Sequence, residues 1–371
     1  MATKKKLHVA LIFGGRSGEH EVSLMSARSV LSVLDPAKYD VTQIGITLDG
    51  KWVTGADVLG KLEAGKPSGL DPVIVTPDPS EAGIFVVREK KLERISDVDV
   101  YFPLLHGTFG EDGTIQGLLE MANAAYVGAG VVGSSVGMDK GVFKDVMRSH
   151  DIPSVDSILL LRSEIEKDIE AAVTKAERVG AYPLFTKPAN LGSSVGISKC
   201  NSRSDLQEGL MEAARFDRRV LVEKGVANAR EIEVSVLGNE DPRASVPGEI
   251  LPSREFYSYE AKYIDGTSGL LIPAPIPPET ASEIRELAVR AYKAIDAAGM
   301  ARVDFFIDKD SGQVYLNELN TIPGFTTISM YPKLWGASGI PYSELVDRLI
   351  DLAMQRKADR DRTSHSYRSQ G

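Results

Sequence analysis

The chain has 371 residues, 43% of them hydrophobic and 26% charged, with a formal net charge of −9 and a single cysteine. That length suits two or three domains with substantial cores, and the acidic balance, with basic residues scattered apart from Lys4 to Lys6, excludes a nucleic-acid footprint. Cys200 alone permits no intramolecular disulfide, no apolar run reaches membrane length, and residues 7–13 are too short for a signal peptide, so a cytoplasmic protein without a membrane partner is expected.

LHVALIFGG predicts a first buried strand, residues 22–34 a helix and YDVTQIGIT a second strand. GGRSGEHEVSL between them places a glycine turn ahead of Glu19 and Glu21. Acids there can stabilise the helix dipole, or Glu19 can face a cleft and hold a substrate ammonium. Strands over 97–105 and near 125–127 complete a first α/β domain, residues 1–139. Within it LHGTFGEDGTIQG sets His106 at a strand end, where α/β proteins bind ligands, although a lone histidine is as readily a packed one. GAGVVG at 128–133 is a literal dinucleotide-binding G-x-G-x-x-G and would support an oxidoreductase. It sits late in its domain, and Asp151 leads into Pro153 rather than closing a second strand, so the βαβ context is missing.

A second, α+β domain is expected over 140–225. It comprises a helix from Lys140 to His150, one charged helix over 163–178, the strands YPLFTKP and SVGISKC, and a helix over 203–215. The loop in KPANLGSSVGIS can turn backbone N–H groups and the hydroxyls of Ser193 and Ser194 toward phosphate oxygens, with Lys187 at its base. A flexible hairpin loop is the plain alternative. Residues 226–356 carry the strands REIEVSVLG, RVDFFID and QVYLNEL, with helices at 279–298 and 342–355. FYSYEAKYIDGTSGLLIP, residues 256–273, has no clean period and reads as a lid that would deliver Lys262 and Tyr263. Residues 357–371 are polar and expected to be disordered.

In RVDFFID and VYLNELN, residues two apart share a strand face, and DKDSG supplies the turn that makes the two runs a hairpin. Asp304, Glu318 and Asn320 then come together as two carboxylates and an amide, hard oxygen ligands that suit Mg²⁺ sharing its shell with water and phosphates. Acids in a hairpin are also often merely solvated.

GGRSGEHEVS, LHGTFGEDGTIQG, GMDK, KP-x₃-GSSVG, REIEV, YEAKY, RVDFF and NELNTIPGFT follow one another over residues 9–350. Together they resemble the D-alanine–D-alanine ligases of the ATP-grasp superfamily. The resemblance implies a three-domain α/β and α+β fold with an N-terminal open parallel sheet. It also implies ATP as co-substrate, two D-alanines joined through an acyl phosphate for peptidoglycan precursors, and a homodimer. Asp304, Glu318 and Asn320 would hold two Mg²⁺ ions, with Mn²⁺ as a substitute and K⁺ a candidate activator. Lys140, Lys187 and the serines 193 and 194 would contact phosphate, with Lys262 also on the ATP side; Glu223, Lys224 and Val226 the adenine; and Glu231 the ribose. Glu19 would bind the first ammonium, and Ser193 and Tyr263 would link it to loop and lid. Arg302 and the Gly324 backbone would stabilise the oxyanion, Ser329 would meet the second carboxylate, and His106 falls on the substrate side. EAKY matches the dipeptide-forming pattern at Tyr263; D-alanyl-D-lactate synthesis and a noncatalytic ATP sensor are the remaining alternatives.

Overall fold

The computed structural model describes residues 5–192, 195–226, 228–251, 269–326 and 328–364. β1 (Leu7–Gly14) pairs in parallel with β2 (Tyr39–Ile46) and, on its other side, with β7 (Val100–Leu104). Val9 to Phe13 are fully buried, because a central parallel strand is covered on both faces and needs apolar residues at successive positions. β3 (Trp52–Thr54), β4 (Asp71–Val75), β5 (Ile84–Arg88) and β6 (Lys91–Ser96) extend the sheet antiparallel, giving the order β6-β5-β4-β3-β2-β1-β7. Helices α1 (His20–Leu31), α2 (Val58–Glu63), α3 (Thr114–Met121) and α4 (Val131–Met138) complete this unit. The strand expected near 125–127 is a single bridge, Tyr101 to Tyr126.

α5 (Lys140–Ser149) leads to a four-stranded antiparallel sheet ordered β10-β9-β11-β8: β8 (Ser157–Leu161), β9 (Leu184–Pro188), β10 (Ser198–Cys200) and β11 (Arg219–Lys224). The single helix expected over 163–178 is two, α6 (Arg162–Lys167) and α7 (Ile169–Ala176), and α8 (Arg203–Phe216) follows β10. The break lies at Asp168, whose extended backbone lets its carboxylate accept the Ala171 N–H at 3.0 Å; aspartate favours this N-cap over a helix interior. The third sheet runs β15-β14-β12-β16-β17, built from β12 (Ala229–Gly238), β14 (Gly248–Leu251), β15 (Gly269–Leu271), β16 (Gly299–Asp308) and β17 (Val314–Asn320), with β13 (Arg243–Ala244) on β12. α9 (Pro278–Ala294), α10 (Met330–Ala337) and α11 (Tyr342–Arg360) pack around it.

Cores cross these units. Phe143 and Met147 of α5 lie in one core with Val303, Phe305 and Leu316 of the third sheet, whereas the core of the second sheet draws on residues 160–222. Leu345, Val346 and Leu349 of α11 pack with Val9, Leu11 and Phe102. The polar stretch expected to be disordered from 357 is helical as far as Arg360. Arg356 holds Glu120 at 2.7 Å and lies over the Tyr126 ring, and Arg360 also pairs with Glu120. These partners lie more than 200 residues away, beyond the reach of a local sequence reading.

The G-x-G-x-x-G glycines serve close packing. A Cβ on Gly133 would lie 2.8 Å from the Asp296 carbonyl oxygen, and one on Gly299 only 3.2 Å from the Gly128 Cα. They let the chain before α4 abut the start of β16, which accounts for the motif without a dinucleotide. Among the described residues no helix is long and apolar enough to cross a membrane.

Candidate active site

A cavity of about 530 Å³ opens between the second and third sheets and is closed at one end by the N-terminal unit. Its volume falls in the range of small-molecule sites. The third sheet supplies the acidic wall. On β16 the residues Val303, Phe305 and Ile307 are buried, while Arg302, Asp304 and Phe306 face the cleft. β17 pairs antiparallel with β16, but its register slips by one residue between Asp304 and Phe305: Leu316 opposes Phe305, Glu318 opposes Asp304, and Asn317 is the extra residue. This bulge explains how Leu316 and Leu319, three apart, both reach the core. It also turns Glu318 and Asn320 into the cleft opposite Asp304 and Arg302.

Glu233 of β12 opposes Asp304 from the other side, so Glu233, Asp304 and Glu318 form one cross-strand row of carboxylates. Like charges directly opposite one another are unfavourable unless cations sit among them. Arg302 is one such cation: it donates to both Asp304 oxygens at 2.7 and 2.6 Å, and its Nε lies 3.1 Å from Glu233. Asn320 donates to Asp304 at 3.2 Å, and Lys140 Nζ reaches to 3.8 Å from Glu318. Among the described residues no three His, Cys, Asp or Glu side chains form a cage of their own. Two carboxylates and an amide on a cleft wall fit the partial shell of Mg²⁺, which leaves positions to water and phosphate, better than that of an ion caged by protein.

The opposite wall is cationic. Lys140, at the start of α5, also donates to the Leu191 carbonyl at 2.7 Å, where the glycine loop begins. Lys187 of β9 contacts one oxygen of Glu223 on β11 at 2.5 Å, and Lys144, one helical turn beyond Lys140, contacts the other at 2.9 Å. Burial opposes the charge of Glu223, yet the two ammoniums prevail and hold its carboxyl down to about 2. Burial also lowers Lys144, which additionally feels Lys187, whereas on Lys187 the same burial is outweighed by Glu223, Glu318 and Glu231, so its pKa is raised. Lys224, Val226 and Glu231 line the same cavity.

At the closed end Glu19 is the N-cap residue of α1 but makes no side-chain cap hydrogen bond. Its carboxylate instead lies against Gly107 and Gly192, where an added Cβ would stand 2.3 and 2.8 Å from Oε2. The left-handed Gly107, φ 72°, therefore leaves room for that carboxylate as well as making the turn. His106 is buried and both ring nitrogens are engaged: Nδ1 with the Ile322 carbonyl at 3.0 Å and Nε2 with Ser26 Oγ at 2.9 Å. Burial lowers its pKa, so a neutral ring donating from Nδ1 fits these partners and ties the turn to the 321–325 loop. Gly324 lines the cavity. Ser329 stands behind it, its hydroxyl 2.7 Å from Thr326 Oγ1 and close enough to obstruct any side chain at 324. Ser193, Ser194, Lys262 and Tyr263 lie outside the described residues.

Three charged groups in or beside the cleft escaped sequence reading. Glu233 is two residues from Glu231 on one strand, and Lys144 four from Lys140 on one helix, spacings that place each pair on a common face. Glu111, inside the GEDG run, is buried and accepts the Gly107 and Ile322 N–H groups at 2.9 and 3.1 Å. Burial, then the Glu19 charge, raise its carboxyl from 4.5 to about 8 against those two donors. A folded-state pKa above the unfolded one contributes stability that is complete below about 4.5 and is lost as pH rises through about 8. Melting temperature should fall across that window, and Glu111→Gln, which cannot ionise, should flatten the fall; an unchanged profile would refute the raised value.

The fold and this two-walled cleft define the class: an ATP-grasp enzyme. A family model described as the D-ala D-ala ligase N-terminus matches residues 8–129, and one described as the D-ala D-ala ligase C-terminus matches residues 146–351. The chain belongs to the D-alanine–D-alanine ligase family. It is 50% identical to a D-alanine–D-alanine ligase of Heliobacterium modesticaldum, over 97% of this chain and 98% of the relative. Among solved structures it is similar to the D-alanine–D-alanine ligase of Coxiella burnetii, at 35% identity and a TM-score of 0.81, covering 96% and 97% of the two chains. It is also similar to the VanG D-Ala:D-Ser ligase of Enterococcus faecalis, at 36% identity and a TM-score of 0.84, covering 94% and 100%.

Proposed function

We infer that this site joins two D-alanine molecules to D-alanyl-D-alanine with conversion of ATP to ADP and phosphate. The observation that carries the reading is one cavity shared by Glu19, by Lys140 and Lys187, and by the row of Asp304 and Glu318. An amino acid's ammonium and a nucleotide's phosphates are thereby brought to the same place. The carboxylate of the first D-alanine attacks the γ-phosphorus and ADP departs, which turns a poor acyl donor into an acyl phosphate. The amine of the second attacks the carbonyl, loses a proton, and phosphate leaves.

The residue assignments are those the resemblance implies, and their positions around the one cavity support them. Glu19 receives the first ammonium at the closed end of the cleft. Lys140 and Lys187 neutralise phosphate oxygens, and Glu223, Lys224 and Val226 frame the adenine with Glu231 on the ribose. Asp304, Glu318 and Asn320 would hold Mg²⁺, which supplies charge neutralisation as the phosphoryl group moves. Arg302, fixed by Glu233 and Asp304, donates together with the Gly324 N–H toward the tetrahedral oxygen. His106 and Glu111 set that loop through the Ile322 carbonyl and N–H, and Ser329 supports it from behind.

Likeness to a D-Ala:D-Ser ligase makes the acceptor the point to test. Phosphate release from ATP should require D-alanine alone, and added D-lactate or D-serine should not displace D-alanyl-D-alanine as product. Preferential formation of the depsipeptide or of D-alanyl-D-serine, or no release with any D-amino acid, would overturn the reading.

A further inference from the structure

We propose that Lys144 is a positioning residue for nucleotide recognition: by fixing Glu223 as an oriented carboxylate, it makes the site select adenine over guanine. The inference rests on the assignment of Glu223 to the base pocket and extends it to a residue that does not touch the nucleotide. Glu223 lines the cavity, whereas Lys144 is not part of its wall. Both side chains are almost completely buried, at 4% and 2% exposure, and Lys144 Nζ stands 2.9 Å from Glu223 Oε1. Lys187 takes the other oxygen at 2.5 Å. The carboxylate thus lies ion-paired at both oxygens to ammoniums from two different elements, α5 and β9, the Lys144 contact being one of charge without hydrogen-bond alignment.

The two anchors are not equivalent. Lys187 shares the second sheet with Glu223, since β9 and β11 are neighbours. Lys144 arrives from α5, whose Phe143 and Met147 belong to the core of the third sheet. The Lys144 contact therefore registers the base pocket against the body that carries Arg302, Asp304 and Glu318. α5 is itself held at its N-terminus: Asp139 accepts the Val142 N–H at 2.9 Å and the Asn190 amide at 2.8 Å, and the Lys140 N–H donates to the Ala189 carbonyl at 3.0 Å.

Stability alone does not account for such a pair. Two buried charges cost desolvation that their attraction roughly offsets, and an apolar residue of similar volume is often as good. What the pair does accomplish is chemical. An ionised carboxylate offers acceptors only, and each oxygen engaged by one ammonium keeps a further lone-pair site. Adenine presents an exocyclic amino donor and matches it. Guanine presents a carbonyl oxygen at the same ring position and meets a negative charge that cannot donate. A carboxyl that became protonated or swung away would lose this discrimination, because sites built to meet a hydrogen-bonding group reject an analogue that lacks it far more strongly than apolar pockets do.

The test uses Lys144→Met, close in volume, in the full-length protein, with ATP and GTP as nucleotides and D-alanine as acceptor. The KM for ATP should rise by about tenfold or more and the ATP over GTP preference in kcat/KM should shrink by a similar factor, since removing one partner of a buried charge pair is costly. The KM for D-alanine should change by less than about twofold, because its proposed contacts lie at the far end of the cleft. A lowered melting temperature with unchanged ATP KM and unchanged nucleotide preference would reduce Lys144 to a structural role and overturn the proposal. If Lys144→Met is too unstable to assay, the double variant Lys144→Met, Glu223→Gln is compared with Glu223→Gln alone: with the carboxylate gone Lys144 has nothing to position, so the two should share one ATP over GTP preference, and a further change caused by Lys144→Met would overturn the proposal. Glu223→Gln by itself separates the two layers: no effect of that single change on nucleotide use would refute the placement of Glu223 at the base, whatever Lys144 does.

Discussion

Glu318→Gln should leave a folded protein whose turnover is lower by roughly a thousandfold or more, since loss of even a supporting partner of a metal ligand costs tens-fold. The change keeps shape and removes charge. Glu318 faces the cleft because the bulge at Asn317 turns it there, opposite Asp304. The amide preserves the bulge and the packing of Leu316 and Leu319 beneath it, so stability should move little. The side chain loses its negative charge beside Lys140, 3.8 Å away, and Asp304 is left as the single carboxylate of the three-ligand set. Turnover measured against Mg²⁺ concentration should show a strongly right-shifted requirement, and melting temperature should stay within a few degrees. Near-normal activity at limiting Mg²⁺ would count against Asp304, Glu318 and Asn320 as the ligand set.

Arg302→Met is the second large effect. Removing one preorganised donor from an oxyanion site costs about 10²–10³ in kcat, and the loss should appear in kcat more than in the KM for ATP. Arg302 also stands between Glu233 and Asp304, which oppose each other across β12 and β16. Its removal takes the cation from between them, so stability should fall as well. Arg302→Lys restores the charge but not the planar fork that engages both Asp304 oxygens. It should recover stability while leaving kcat low. Recovery of kcat by lysine would show that charge alone is needed at this position and would remove the directional oxyanion role.

The sequence read most directly where chemistry is local. The run of apolar residues from Val9 to Phe13 announced a strand buried on both faces, and spacing by two along RVDFFID and YLNELN placed Arg302 with Asp304 and Glu318 with Asn320. It read less well where one residue type serves two ends. Asp168 looked like any charged position in an amphipathic helix and instead caps a new one. GAGVVG has the glycine spacing of a phosphate turn but lacked the βαβ context, and only the fold shows that its glycines permit backbone contact with Gly299. Glu19 had two meanings at a helix start, and only its approach to Gly107 and Gly192 directs it into the cleft.

What the amino-acid sequence determined by itself was therefore the inventory and its order: an α/β unit, an α+β unit, a third unit of strands and helices, and the acids, lysines and glycine turns of an ATP-dependent ligase. The tertiary structure alone decided which of these groups meet. Alternation along a strand assigns a face, but it cannot foresee that a one-residue bulge keeps Glu318 beside Asp304 while Leu316 and Leu319 stay in the core. Nor can helical spacing reveal that Lys144 ends against Glu223, 79 residues further along the chain. Buried charges acquire their character from partners, and partners distant in sequence are set only when the units close on one another.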